Sequence, residues 1–437
     1  MRQIELAYGH GSFSFGFDEQ CVEVLSNPTP SETPLSDVEI GAALDAPFDS
    51  PPIEEMVNAS DSVLLVVSDA TRLTASAQIL NLLVRRLVQN AIPPSNIAVI
   101  FATGIHRPVT AQESAGLLTP FISQRLRTIN HDAYDPANLS LVGTTRRGTP
   151  VELNRVLQEF SCVIITGGIG FHYFAGFTGG RKSICPGLAS AQTIQATHML
   201  ALDLELGGRR SGVGTGLLKG NLVHEECDEI AAMINPAFSI NSRVDERGRA
   251  VKIYAGHWRT AHRAGCDDYL SRNSVGITSK RRVVIASCGG WPYDINLIQA
   301  HKALDMAAHA CETGGTIILL AECAEGLGRN DFLKWFANKS SGELEARLRE
   351  EYEVNGQTAW ALLNKSESFN VHLISALRQE DVKRMGMTPA ASLEEALAGA
   401  DLSEGGYILL RGASVLPIIV GENGRNLINV DLHQWPQ

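Results

Sequence analysis

Short, β-branched apolar runs alternate along this chain with segments of helical period, and that alternation limits the fold more than any other feature. "SVLLVV" (62–67) reads as a buried strand, "ASAQILNLLVRRLVQNA" (75–91) as an amphipathic helix and "NIAVIFATG" (96–104) as the next strand, with Pro93 and Pro94 punctuating the link. "PVELNRVLQEF" (150–160) reads as a helix and "SCVIITGG" (161–168) as a strand. Helices are expected at 190–202 and 221–234, and 238–256 looks like a hairpin turning at Glu246-Arg247-Gly248.

The pattern restarts at "RRVVIASCGG" (281–290), a strand, followed by a helix at 295–311 and a strand at 315–323. Helices around 331–338 and 342–363 and strands at 370–377 and 407–412 follow. A chain of 437 residues is too long for one ordinary core. The expectation is two α/β domains with mainly parallel sheets and the active site in the cleft between them. An N-terminal domain spans 1–277, a C-terminal domain 278–412, and 413–437 is a tail left free to return to the first domain. No internal repeat interrupts this reading.

Composition removes several function classes. A net charge of −11 does not supply the concentrated basic surface that nucleic acid needs. The start, "MRQIELAYGHGSFSFGFDEQ", lacks the apolar run of a signal peptide, and no apolar stretch is long enough to span a bilayer. The eight cysteines include no Cys-x-x-Cys pair, which fits reduced thiols and a cytoplasmic location. No nucleic acid or membrane partner is expected, and a homo-oligomer is left open.

Polar residues cluster just after the expected strands. "SDATR" follows 62–67, "GIHRP" follows 96–102, "GFHYFAGFTGGRKSICPG" follows 161–166 and "GGWPYDINLIQAHK" follows 281–287. In open α/β sheets the crevice beyond the carboxyl ends of the strands is where ligands bind.

The glycine-rich motif is a near miss for a P-loop, because Arg181 replaces the glycine before Lys182. "GVGTGL" (212–217) lacks the third glycine of a dinucleotide fingerprint. Each remaining candidate has a bland and a chemical reading. His106 and His172 at neighbouring strand ends are structural taken singly, but as a pair beside the glycine loop they suit proton transfer. His198 is either a half-buried helix histidine or a metal ligand whose other donors come from a cofactor. Asp69 is a helix cap or a site residue, and Arg72 can offer its planar fork to a carboxylate or phosphate. Gln299 and Lys302 share a helix face that is either solvated or an anion clamp. Lys182 could tether a cofactor, form a Schiff base with pyridoxal phosphate or hold phosphate in a non-catalytic anion- or nucleotide-binding protein.

These motifs, with His198 and the segment ending in Gln299 and Lys302, resemble the nickel-pincer lactate racemase family of 2-hydroxy-acid racemases and epimerases over nearly the whole chain. The resemblance implies a cofactor, pyridinium-3-thioamide-5-thiocarboxylic acid mononucleotide with nickel, joined covalently to Lys182. It implies His198 as the nickel ligand, and His106 and His172 as the acid/base pair. Asp69, Arg72, Phe174, Gly176, Gly179, Gly180 and Pro186 would line the cofactor, the glycines letting the backbone pass close to it. Arg72, Ile298, Gln299 and Lys302 would meet the substrate. The implied reaction is proton-coupled hydride transfer through a 2-keto acid, with a different redox or isomerase reaction of the same cofactor as the alternative. Cofactor-maturation proteins would be partners. The lactate-type pattern has an aromatic residue where Ile298 stands and often a proline where Tyr173 stands, which points towards a larger or more polar 2-hydroxy acid.

Overall fold

A computed structural model describes residues 1–26, 32–337 and 340–421. The chain is mixed α/β with mainly parallel sheets, and it divides into two compact units that are not consecutive in sequence. One unit, here called the glycine-loop unit, comprises residues 30–201 and 211–271. The other, the terminal unit, comprises 1–29, 202–210 and 272–437.

The glycine-loop unit is built on a six-stranded sheet ordered Ala250–Gly256, Phe238–Val244, Cys162–Gly168, Val63–Ser68, Ile97–Ala102, Arg127–Asn130. All neighbours run parallel except the first two strands, which form the expected hairpin. Side chains alternate across a strand, so the central run Val63–Val67 must find apolar partners on both faces. Val63, Leu65 and Val67 pack with Ile79, Leu80, Leu83, Val84 and Leu87 of helix Ser76–Gln89. Leu64 and Val66 face the other way, against Ile184, Ile194 and Ile230. The latter three residues belong to the glycine-rich motif and to helices Ala191–Met199 and Leu222–Ile234. The second core therefore anchors the motif and the His198 helix to one face of the sheet.

The terminal unit has a fully parallel six-stranded sheet ordered Thr388–Ala390, Asn370–Ile374, Cys311–Leu320, Arg281–Ser287, Gly406–Leu409, Val22–Leu25. The hairpin Arg2–Tyr8/Gly11–Phe17 packs Leu6 and Phe17 against Ile285, Ile318 and Ile408 of this sheet.

Several expectations are corrected. The first 29 residues, read as part of the N-terminal domain, complete the terminal sheet, because Val22–Leu25 pairs with Gly406–Leu409. Residues 202–210 also belong to the terminal unit, through Arg209–Asp305 (3.3 Å) and Gly208 N–H to Glu345 (2.9 Å). In the tail, Leu416–Ile419 pairs with Ser274–Ile277, and both strands lie in the terminal unit; 422–437 fall outside the described residues. The helix expected at 150–160 is a strand, Pro150–Asn154, paired antiparallel with Leu139–Thr144 and ended by Asn154 accepting from Val156 N–H. Its buried Val151 and Leu153 alternate at a period of two, which won over the helical spacing. The helix expected at 342–363 is two, Ser341–Glu350 and Val354–Ser368, and among the described residues around 331–338 Phe332–Ala337 form a 3-10 turn. Among the described residues, no helix is long and apolar enough to cross a membrane.

Candidate active site

The order of the strands explains where the polar residues gather. From the central strand Val63–Ser68 the chain lays the next two sheet strands, Ile97–Ala102 and Arg127–Asn130, to one side. It then crosses back to put Cys162–Gly168 on the other. The split between Val63–Ser68 and Cys162–Gly168 is a topological switch point, where a crevice opens at the carboxyl ends of the strands. Asp69 and Arg72 follow one of these strands and His172 follows the other. His106 follows the adjacent strand Ile97–Ala102.

Asp69 is buried and holds His106. One carboxylate oxygen accepts from Thr71 N–H at 2.8 Å and from the Thr71 hydroxyl. The other lies 2.8 Å from His106 Nδ1. Burial alone would raise this carboxyl, but the hydrogen bonds from His106 and Thr71 and the charges of His106 and Arg72 hold it down at about 2. An ionised Asp69 can only accept, so His106 carries a proton on Nδ1, and in the neutral form of the ring the lone pair is on Nε2. His172 is set in the opposite sense. Its Nδ1 accepts from Ala175 N–H at 3.3 Å, so the neutral ring carries its proton on Nε2. One ring is arranged to take a proton and the other to give one.

Phe174 is the hub of the glycine-rich motif. Its ring lies edge-on to His172 (centroids 4.5 Å apart) and to His198 (5.0 Å), with Lys182 Nζ 5.7 Å from its centre. Half-buried Lys182 sits on the short 3-10 turn Gly180–Ser183. Burial and the neighbouring Arg181 charge push its ammonium down to about 7, which leaves much of the amine neutral and nucleophilic. His198, in the last turn of its helix, is 5% exposed and pushed down to about 3 by burial and by the charges of Lys182 and His106. It is a neutral imidazole with a lone pair to offer. Among the described residues no group of three His, Cys, Asp or Glu side chains is placed to hold a metal, so a metal at His198 would take its other donors from elsewhere.

The glycines answer to the protein's own packing. Gly176, at φ +77°, has Leu217 O where a Cβ would come within 2.0 Å, and its carbonyl accepts from Gly216 N–H at 3.1 Å. "GVGTGL" is thus a packing partner of the loop. A Cβ on Gly179 would meet Asn241 Oδ1 at 2.8 Å, and one on Gly180 would meet the His262 ring at 2.6 Å. Pro186 lies under the His106 loop: Gly104 N–H donates to Gly187 O at 2.9 Å, and a Cβ on Gly104 would be 3.2 Å from Pro186 O.

Several residues that hold the site were not legible in the motifs. Arg181, 1% exposed, donates to Ala175 O (2.8 Å) and Phe177 O (3.3 Å) and lies 3.0 Å from His262 Nε2, cross-linking the loop. Buried Asn241 accepts from Gly180 N–H, and Asn221 donates to Phe174 O, both at 2.8 Å. The only sequence signal was the Arg-Lys neighbour pair; the asparagines and His262 come from distant strands and helices.

The structure places Ile298, Gln299 and Lys302 in the terminal unit, at the start of helix Leu297–Ala310. Lys302 Nζ donates to Gln299 Oε1 at 2.7 Å. Arg72 is exposed, its backbone closing a turn onto Asp69 O.

The chain is similar to known proteins along most of its length. Residues 8–206 match the lactate racemase N-terminal domain and 278–412 the lactate racemase C-terminal domain. The chain is 31% identical to lactate racemase of Thermoanaerobacterium thermosaccharolyticum over 410 residues, covering 92% of this chain and 95% of that one. It is 31% identical to lactate racemase of Lactiplantibacillus plantarum over 335 residues, covering 76% and 77%. The structure of the T. thermosaccharolyticum lactate racemase apoprotein matches with a TM-score of 0.86 at 29% identity, covering 95% of this chain and all of that one. A Thermotoga maritima protein at 19% identity and TM-score 0.64, covering 89% of this chain, shares the fold.

Proposed function

The chain belongs to the lactate racemase family, and from that premise we propose that it is an isomerase that racemises or epimerises a 2-hydroxy acid. The observation that carries this reading is the gathering, at one switch point, of two histidines with opposite proton placement beside a lysine whose ammonium is pushed down to about 7 and a neutral imidazole.

The Cα–H of a 2-hydroxy acid has no strong electron sink beside it, so its removal as a proton is slow, whereas removal as hydride leaves a stable 2-keto acid. The donor chemistry of the site suits the nickel-pincer nucleotide. A neutral Lys182 amine can form the covalent link, and one neutral imidazole, His198, complements soft sulfur donors around nickel. When bound, the group supplies a reversible hydride acceptor for Cα.

The remaining work falls to this chain's own side chains. His106 Nε2 takes the hydroxyl proton, and the Asp69 carboxylate stabilises the imidazolium that results. His172 presents its Nε2–H to the oxygen from its own side. A planar keto acid has lost its stereocentre, so a proton must be handled on each face, and two histidines meet that need. Arg72 offers its planar fork to the carboxylate while the stereocentre is remade, and Lys302 of the terminal unit is proposed as a substrate-binding cation. Proteins that build and insert the nucleotide are required partners, and eight free thiols support a reducing compartment.

The test is intact mass and metal analysis of protein produced with nickel and the cofactor-synthesis proteins, followed by chiral assay of 2-hydroxy acids. An adduct mapping to Lys182, nickel in the protein and conversion of one enantiomer to the other are expected. An unmodified, nickel-free chain from that preparation overturns the cofactor assignment, and net accumulation of keto acid overturns the racemase assignment.

A further inference from the structure

Asp69 divides its two carboxylate oxygens between two neighbours. Oδ1 accepts from Thr71 N–H at 2.8 Å and from the Thr71 hydroxyl, and Oδ2 lies 2.8 Å from His106 Nδ1. The backbone bond alone is an Asx-turn, the ordinary way for an aspartate to close a loop two residues on. The Thr71 hydroxyl is a second donor to the same oxygen, and a turn does not need it.

His106 and Arg72 both stand to gain from this carboxylate. The His106 backbone is tied down, its N–H donating to Thr103 O at 2.9 Å while the Thr103 hydroxyl donates to His131 O at 2.9 Å. The His106 side chain is 42% exposed, and among the described residues its ring has the Asp69 carboxylate as its one hydrogen-bond partner. An exposed imidazole with a loosely held partner interconverts between tautomers and leaves its lone pair on either nitrogen. Arg72 stands three residues after Asp69, its N–H donates to Asp69 O at 3.2 Å, and its charge acts on the carboxyl. Even so, among the described residues no hydrogen bond or ion pair joins the Arg72 guanidinium to Asp69. A carboxylate free to rotate about its Cβ–Cγ bond would offer Arg72 the two-pronged pairing that guanidinium and carboxylate favour. Two donors from Thr71 on Oδ1 oppose that rotation and leave Oδ2 facing His106.

We infer that Thr71 is a positioning residue: its hydroxyl locks the Asp69 carboxylate so that Oδ2 holds the proton on His106 Nδ1 and the lone pair stays on Nε2. The inference rests on the racemase reading for what that lone pair does, and on the hydrogen bonds alone for where it sits.

The test compares the full-length wild type with Thr71→Val and Thr71→Ser. Valine keeps the shape and the backbone bond and removes the hydroxyl; serine restores it. Long-range proton–nitrogen spectra of histidine-labelled protein at about pH 8.5, where an ordinary imidazole is neutral, report which His106 nitrogen carries the proton. The His106 signals are identified by their loss in His106→Gln. Wild type and Thr71→Ser are expected to carry the proton on Nδ1, and Thr71→Val to show a mixture of both tautomers. After cofactor loading, Thr71→Val is expected to lose roughly 10-fold in kcat for racemisation, the scale of one hydrogen bond to a charged group and less than the loss of the ring itself. Thr71→Ser should stay near wild type. If Thr71→Val does not fold, Thr71→Ala takes its place. A wild-type ring protonated on Nε2, an unmixed Nδ1 proton in Thr71→Val, or Thr71→Ser behaving as Thr71→Val overturns the inference. A tautomer that shifts in Thr71→Val while kcat stays at the wild-type value overturns the positioning role and leaves the racemase reading intact. Absence of racemisation in loaded wild type sinks the racemase reading, and the spectra still decide what Thr71 does to His106.

Discussion

Both units set polar residues beyond the carboxyl ends of a six-stranded sheet at a switch point, yet they give those residues opposite surroundings. In the glycine-loop unit, Asp69 and His198 are 6% and 5% exposed, and Lys182 is pushed down to about 7. In the terminal unit, Arg411 is exposed, Lys302 is half-buried and Trp291, in the loop after strand Arg281–Ser287, is 55% exposed. Burial shifts proton affinities and strengthens local fields, which chemistry uses; hydrated cations on a sheet edge recognise anions without being changed by them. In the reading proposed above, reaction steps fall to buried groups of the glycine-loop unit and anion recognition to cations such as Lys302.

The largest effect should come from Lys182→Ala. Without the amine there is no covalent link, so mass spectrometry should find no adduct and chiral assay no turnover; an active variant would break the assignment of chemistry to the glycine-loop unit. Next, His106→Ala and His172→Ala should each lower kcat by roughly 10²- to 10⁴-fold, the usual scale of general acid–base catalysis, while nickel content measured alongside stays constant. Loss of nickel from either would mean that these rings are ligands. Lys302→Ala should act mainly on KM, by roughly 10-fold or somewhat more, the scale of one charged hydrogen bond, with kcat little altered. A collapse of kcat without a change in KM would erase the division between the units.

The smallest effect is on stability, and it tests what the units share. Burial pushes His198 and His262 down to about 3 in the glycine-loop unit, and His301 and His309 down to about 4 in the terminal unit. Unfolded, these rings take up protons near pH 6.5, so between that value and about 3 to 4 the unfolded chain binds more protons and stability falls with pH. Asp69 behaves differently: held at about 2, its contribution is present above the ordinary carboxylate range and is lost only in stronger acid. Calorimetric melting should therefore fall from about pH 7 to about pH 4.5, by several degrees. A flat profile would mean that the buried histidines are solvated in the folded protein.

How much of this could be read beforehand varied by region for physical reasons. The central strands 63–68, 97–102 and 162–168 and the helix 76–89 were legible because each buries a continuous or periodic apolar surface that no loop would carry. The opening hairpin was missed although Phe13, Phe15 and Phe17 alternate with Ser14 and Gly16, a strand signal diluted by the small polar residues between. The excursion 202–210 carries no signal, since its membership of the terminal unit depends on Arg209 reaching Asp305. The four polar clusters were visible as composition; the Asp69–His106 contact was not, because 37 residues separate partners that only the pairing of Val63–Ser68 with Ile97–Ala102 brings together.

The sequence by itself determined the class of fold, the residue types available for chemistry and their positions after strands, because secondary-structure periodicity and turn chemistry are local properties of a chain. Which histidine proton sits on which nitrogen, why Gly176, Gly179 and Gly180 cannot carry a side chain, and how Arg181 holds the loop were decided only by tertiary structure. Each of those depends on a group brought in from a distant part of the chain, such as Leu217, Asn241 or His262. Burial and hydrogen bonding are set by what the fold packs around an atom, and nothing in the neighbouring sequence encodes that packing.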